Sequence, residues 1–145
     1  MLLALDVGNS NGTIGAFDHE DIVGRWRLRT IQDQTAAEWG VLMRTLFSLA
    51  SLELEQIRGI IIASVVPPLD SSLTAMAERY FGTRPVFVTH ETDTGLAIRY
   101  TNPLEIGADR IVNSVAAWER YQAPCVVVDL GTAITFDTVS AKKSE

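Results

Sequence analysis

The chain opens on an apolar run, Leu2 to Leu5, that stops at Asp6 and gives way to Gly8-Asn9-Ser10-Asn11-Gly12. Apolar residues resume in Thr13-Ile14-Gly15-Ala16-Phe17, so the pattern predicts a buried strand, a small-residue loop and a second strand of a hairpin. From Asp21 to Arg29 apolar and basic residues alternate, the period of a strand with one wet face, and three consecutive strands predict an antiparallel meander. The period becomes helical at Thr35: Ala36, Trp39, Met43, Leu46 and Phe47 share a stripe, with Glu38 and Arg44 facing away. Gly59 to Val66 is a continuous β-branched run, as in a central strand covered on both faces. Pro67-Pro68 ends it and opens a helix that closes near Tyr80-Phe81-Gly82, with glycine as the C-cap.

A short strand follows at Pro85 to Val88, and Thr89 to Asn102 has no regular period. Gly107 to Tyr121 reads as a helix with Ile111, Val115 and Trp118 on its apolar stripe. Residues 125 to 137 then repeat the opening: an apolar strand, Asp129-Leu130-Gly131, the small residues Thr132 and Ala133, and a second strand to Asp137. The order of elements is α/β and fits a ribonuclease-H-like lobe with a mixed sheet flanked by helices, plus the first hairpin of a second, similar lobe. The corresponding domains are 1–123 and 124–145. Because 145 residues make one ordinary domain and the second hairpin comes last, the pattern predicts a truncated chain whose second lobe is missing.

At 47% hydrophobic and 21% charged residues, the composition is that of a globular protein. A net charge of -6 opposes polyphosphate at long range and argues against a nucleic-acid partner, so any phosphate site must be local. The single cysteine, Cys125, lies in an apolar strand and excludes an intrachain disulfide. No stretch approaches the roughly 20 apolar residues that span a bilayer, and the N-terminus has no basic signal region, so the expectation is a cytoplasmic protein without a membrane partner. His19 and His90 are expected to be exposed loop residues, and no Cys/His spacing suggests a transition-metal site. Trp26, Trp39 and Trp118 read as core or interface aromatics.

Taken alone, Asp6-Val7-Gly8-Asn9-Ser10-Asn11 is as readily a tight hairpin turn as a ligand loop. The turn explains the glycines and asparagines, but not a carboxylate closing an apolar strand, where a charge needs a partner or a cation. Repetition at Asp129 shifts the balance toward a pair of phosphate loops. Two such hairpins could hold a triphosphate, with amides and hydroxyls on its oxygens and carboxylates on hydrated magnesium. This arrangement resembles that of the actin, sugar-kinase and Hsp70 ATPase superfamily. Gly107-Ala108-Asp109-Arg110 places an acid beside a base at a helix start, where free amides and the dipole favour a carboxylate's charged form. A surface capping pair is the plain alternative.

Asp6-Val7-Gly8-Asn9, Asn102-Pro103, Gly107-Ala108-Asp109-Arg110 and Asp129-Leu130-Gly131-Thr132-Ala133 occur in the order of the type III pantothenate kinases, also called the Bvg accessory factor family. The chain resembles that family from residue 2 to about residue 139. The resemblance implies a kinase that moves the γ-phosphoryl of ATP to pantothenate, the first step of coenzyme A biosynthesis. It implies Asp109 as general base, or at least as the residue that orients the pantothenate hydroxyl, and Tyr100, Gly107, Ala108 and Arg110 as further pantothenate contacts. Asp6 would organise magnesium, with Val7, Gly8, Asn9, Ser10 and Asn11 in the first phosphate loop. Gly131, Thr132 and Ala133 would line the second, with Asp129 near a monovalent cation, K+ or NH4+. The family's second lobe carries a glycine-rich adenosine loop and much of a homodimer interface.

Two positions depart from the family pattern. Ser10 stands where threonine is usual, which keeps the hydroxyl, and Ile134 stands where threonine is common, which removes a phosphate contact. No glycine-rich loop follows Asp137, so this chain is expected to be inactive by itself. Two other functions compete with the kinase: a regulatory or transcription-accessory protein of the same fold, and another kinase or phosphatase of the superfamily.

Overall fold

The computed structural model describes residues 1–141; residues 142–145, the end of the predicted 124–145 segment, lie outside the described residues. The chain divides into two compact units, Met1–Phe87 and Val88–Glu145.

The first unit holds a five-stranded sheet built from β1 (Leu2–Val7), β2 (Asn11–Asp18), β3 (Asp21–Arg29), β4 (Gly59–Ser64) and β5 (Val86–Phe87). Their spatial order is β3-β2-β1-β4-β5. β1, β2 and β3 form the antiparallel meander, while β4 runs parallel to β1 and β5 parallel to β4. Parallel neighbours need crossover connections, and helices α1 (Ala36–Leu49) and α2 (Pro67–Met76) lie in those crossovers.

One sheet face carries the core. Leu3, Leu5 and Val7 of β1, Ile14 and Ala16 of β2, and Ile60 and Ile62 of β4 are buried in one cluster with Trp39, Met43 and Phe47 of α1 and Leu69, Leu73 and Met76 of α2. Trp26 of β3 stacks on Phe47 with centroids 5.6 Å apart. Truncating Met43 or Phe47, both almost fully buried, would cost about 2–5 kcal/mol. The opposite face is wetter than the apolar runs suggest. Leu2 is 44% exposed and Asp6 is exposed, while Ile61 is half-buried. The run at β1 is thus covered fully on one side only, whereas on the second side of β4 Ala63 is buried and Ile61 half-buried.

Local signals explain the helix ends. Thr35 caps α1 in a reciprocal pair: Glu38 N–H donates to Thr35 Oγ1 at 3.3 Å, and Thr35 N–H donates to Glu38 Oε2 at 2.8 Å. Glu38, read from periodicity as merely facing away, is therefore half of a capping box. α2 continues into a wider π-helical turn, Ala77–Phe81, and stops at Gly82 in the left-handed region at φ 64°.

The second unit contains the irregular segment up to Asn102, a single 3-10 turn at Pro103–Glu105, α3 (Ala108–Tyr121), and the hairpin of β6 (Cys125–Leu130) and β7 (Ile134–Val139). The two strands form a sheet of their own. Cys125, Val127 and Asp129 alternate with exposed Val126, Val128 and Leu130; on β7, Thr135, Asp137 and Val139 alternate with exposed Ile134 and Phe136. The hairpin therefore has one partly covered, partly polar face and one exposed apolar face. Cys125 is half-buried and free. The His90 side chain is 28% exposed, less than a solvent loop would give it, whereas His19 is 93% exposed at the β2–β3 turn.

Candidate functional site

The sequence-predicted residues fall into two sets, one in each compact unit. In the first, Asp6 lies one residue before the end of β1, on the face opposite the core, because strand alternation sends Leu5 and Val7 inward. Its carboxylate is exposed, so desolvation is not what demands a cation there. The Val7 side chain is buried, and its carbonyl already accepts from Val65 N–H at 3.0 Å. Gly8 N–H closes the loop onto Asn11 O at 3.1 Å. A Cβ on Gly8 would stand 2.9 Å from that same Asn11 oxygen, so the turn has room only for glycine. Asn9, Ser10 and Asn11 are exposed.

Thr30 fastens this loop from outside. Its hydroxyl donates to Gly8 O at 2.6 Å, and its amide donates to Ser10 O at 3.0 Å. Sequence reasoning passed over Thr30 as part of a polar connector, since only the pairing of β2 with β3 brings it beside the loop. A small cavity of about 10 Å³ is lined by Asp6, Gly12, Thr30 and Trp39 among others. Trp39 Nε1 is the buried side-chain polar atom without a partner among the described residues.

The second unit collects the remaining candidates. Gly107 is the N-cap of α3, Ala108 is buried, and Asp109 and Arg110 occupy the first turn. Asp109 Oδ1 accepts from Arg110 N–H at 2.8 Å, an amide that also donates to Gly107 O at 3.1 Å. The Arg110 side chain is held between two partners: Asp137 of β7, through Nε and Nη2, and the Tyr100 hydroxyl, 3.3 Å from Nη1. These contacts, the Asp137 bonds first, raise the guanidinium's pKa further above its ordinary value. Asn102 Nδ2 donates to Glu105 Oε1 at 2.7 Å, across the 3-10 turn Pro103–Glu105 that Asn102 opens.

Asp129, at the end of β6, accepts from Asn113 Nδ2 at 3.3 Å. Asn113 was missed although it lies four residues after Asp109, on the same helix face one turn on. The loop after Asp129 resembles the first but is one residue shorter: Leu130 pairs with Ile134, whereas Val7 pairs with Gly12. In both hairpins the aspartate pairs with a threonine, Asp6 with Thr13 and Asp129 with Thr135. Gly131 N–H closes the turn onto Ala133 O at 3.1 Å, and Gly131, Thr132 and Ala133 are exposed. A Cβ on Gly131 would meet nothing nearer than 3.7 Å, so the protein itself does not require glycine there.

Among the described residues no group of three or more His, Cys, Asp or Glu side chains could hold a metal ion, and no helix is long and apolar enough to cross a membrane. A single exposed carboxylate fits magnesium nevertheless, since that ion keeps most of its waters and typically takes one or two carboxylates together with substrate phosphates.

Known proteins resemble this chain in fold and in sequence. A crystal structure of a putative N-acetylglucosamine kinase from Porphyromonas gingivalis is similar to 99% of this chain and 46% of its own, with a TM-score of 0.53 at 12% identity. The fold is that of the actin-like ATPases. The sequence profile of the family described as type III pantothenate kinase matches residues 2–144, and the chain belongs to that family. Proteins named type III pantothenate kinase are similar to it in Solibacter usitatus (62% identity over 141 residues, 97% of this chain and 54% of the relative), and in Koribacter versatilis (50% over 152 residues, 98% and 56%). A third, in Geobacter sulfurreducens, is 50% identical over 142 residues, again 98% of this chain and 56% of the relative. The chain thus spans about half the length of the curated relatives it matches.

Proposed function

We propose that this chain is the N-terminal part of an enzyme that phosphorylates pantothenate with ATP, the first step of coenzyme A biosynthesis. The observation that carries the reading is Asp109 in the first turn of α3, beside an arginine already oriented by Asp137 and Tyr100. Phosphoryl transfer asks the protein mainly for positioning and charge neutralisation, with a carboxylate to take the acceptor's proton. Asp109 would accept the proton of the pantothenate hydroxyl as that oxygen attacks the γ-phosphorus. Its bond to the Arg110 amide holds one carboxylate oxygen and leaves the other for the substrate. Arg110, Tyr100, Gly107 and Ala108 would orient pantothenate.

Asn9, Ser10 and Asn11, with Val7 and Gly8, would line the first phosphate loop, and Gly131, Thr132 and Ala133 the second. Asp6 would hold a hydrated magnesium ion, which when bound neutralises phosphate charge. Asp129, steadied by Asn113, would sit near a monovalent cation, K+ or NH4+. We assign residues 1–123 to one lobe and 124–145 to the start of a second; the exposed apolar face of the β6–β7 hairpin supports this, since further elements of a second lobe would cover it. A homodimer rests on the family resemblance, and a cytoplasmic location on the single cysteine, Cys125, which fits a reducing compartment.

The test is an ADP-release assay on the full-length gene product with ATP, magnesium, potassium and pantothenate, beside titration calorimetry with pantothenate. Pantothenate-dependent ADP release is the expected result. Binding without turnover would favour the regulatory reading, and neither would remove the assignment.

A further inference from the structure

The Arg110 side chain is held by groups of the protein itself. Its Nε lies 3.0 Å from both Oδ1 and Oδ2 of Asp137, and Nη2 donates to Oδ1 of the same carboxylate. Its third nitrogen, Nη1, donates to the Tyr100 hydroxyl, and the guanidinium carbon lies 5.1 Å from the centre of the Tyr100 ring. The ion pair is largely buried, with side-chain exposures of 20% for Arg110 and 14% for Asp137. A carboxylate bridging Nε and Nη2 fixes the plane of the guanidinium as well as its position. Of five N–H donors, Asp137 and Tyr100 engage one on each nitrogen. One hydrogen on Nη1 and one on Nη2 remain for a ligand.

Two consequences follow from the pairing. An arginine on a flexible stem loses rotamer freedom when a ligand orders it, and that loss weakens binding; here Asp137 has already imposed the order. The pair is also neutral as a whole, so it selects an acceptor by the direction of its N–H groups more than by net charge. Neither effect belongs to Arg110 alone.

We propose that Asp137 is a positioning residue for pantothenate, fixing the plane of Arg110 so that its remaining Nη donors meet an acceptor oxygen of the substrate. This rests on the reading of Arg110 as a pantothenate contact. Asp137 touches no substrate itself and acts through the guanidinium.

The experiment is a double-mutant cycle in the full-length protein, with KM measured separately for pantothenate and ATP. Asp137→Asn should raise the pantothenate KM about 10-fold, the size of coupling expected between groups in one network, and leave the ATP KM within about two-fold. In an Arg110→Gln background the same substitution should change the pantothenate KM by less than about two-fold, because the group it acts through is gone. Asp137→Glu, which restores the charge, should recover part of the loss, and it carries the same cycle if Asp137→Asn does not fold. Unchanged pantothenate KM, equal losses for both substrates, or effects that multiply independently in the double variant would overturn the positioning role. A wild-type protein without pantothenate turnover would instead bring down the function on which it rests.

Discussion

Asn113 Nδ2 donates to Asp129 Oδ2 at 3.3 Å, tying the second turn of α3 to the end of β6. A carboxylate held on one oxygen presents the other in a defined direction. If Asp129 serves a monovalent cation, Asn113→Ala should raise the half-activating K+ concentration about 10-fold, the usual scale for losing an outer-shell partner. Rates measured against KCl at constant ionic strength test this, and an unchanged requirement would detach Asp129 from the cation.

If Asp109 takes the hydroxyl proton, Asp109→Asn keeps an oxygen for the Arg110 amide but removes the base. The expected outcome in the full-length protein is then a fall in kcat of about 10²–10⁴ with little change in the ATP KM. Full turnover by this variant would exclude a general-base role.

The two loop glycines should respond differently to alanine. At Gly8 the new methyl would stand 2.9 Å from Asn11 O, so the backbone must shift and both melting temperature and ATP affinity should drop. At Gly131 nothing in the protein lies nearer than 3.7 Å. Gly131→Ala should leave melting unchanged and weaken ATP binding alone, because only an approaching phosphate would meet the methyl. Calorimetric melting and ATP titration separate the two cases, and unaltered ATP binding in Gly131→Ala would remove Gly131 from the phosphate loop.

In the α1 capping box, hydrogen bonds from the Thr35 amide and then its hydroxyl hold the Glu38 carboxyl below its ordinary value of 4.5. A depressed carboxylate stabilises the fold above its unfolded pKa and loses that contribution as pH falls through the folded value. Glu38→Gln should therefore lower the urea midpoint at pH 7, with the gap to wild type closing as pH falls below about 4.5. Thr35→Ala should cost about 1 kcal/mol at neutral pH. A Glu38→Gln gap independent of pH would refute the charged cap.

Gly40 breaks a propensity rule inside α1 for a packing reason: a Cβ there would lie 2.2 Å from the Tyr80 ring. Helix propensity alone makes Gly40→Ala stabilising by about 1 kcal/mol, but overpacking should reverse this to a loss of about 1–3 kcal/mol. In a Tyr80→Ala background the same change should become stabilising. Urea denaturation of the four variants tests the reversal.

Much of the fold was legible because its signals are local. The meander, both crossover helices, the Gly82 stop and the strand carrying Asp129 follow from period-two and period-3.6 patterns punctuated by glycine and proline. Burial was harder to read. The uninterrupted apolar run at β4 suggested cover on both faces, yet opposite the packed Ile60/Ile62 side Ala63 is buried while Ile61 is only half-buried. An apolar run does not state which of its faces will be covered.

The sequence by itself determined the order of elements, the two Asp-x-Gly hairpins, the acid–base pair at the start of α3, and with them the family. These depend on residues within a turn or two of each other. The tertiary structure decided which groups meet: Thr30 on the first loop, Asn113 on Asp129, and Asp137 on Arg110 across 27 residues. Such meetings are set by strand register and by the face on which a helix packs, and a shift of one residue in β7 would turn Asp137 away from α3. Chain-local patterns carry no information about that choice, because it is made by packing the whole unit.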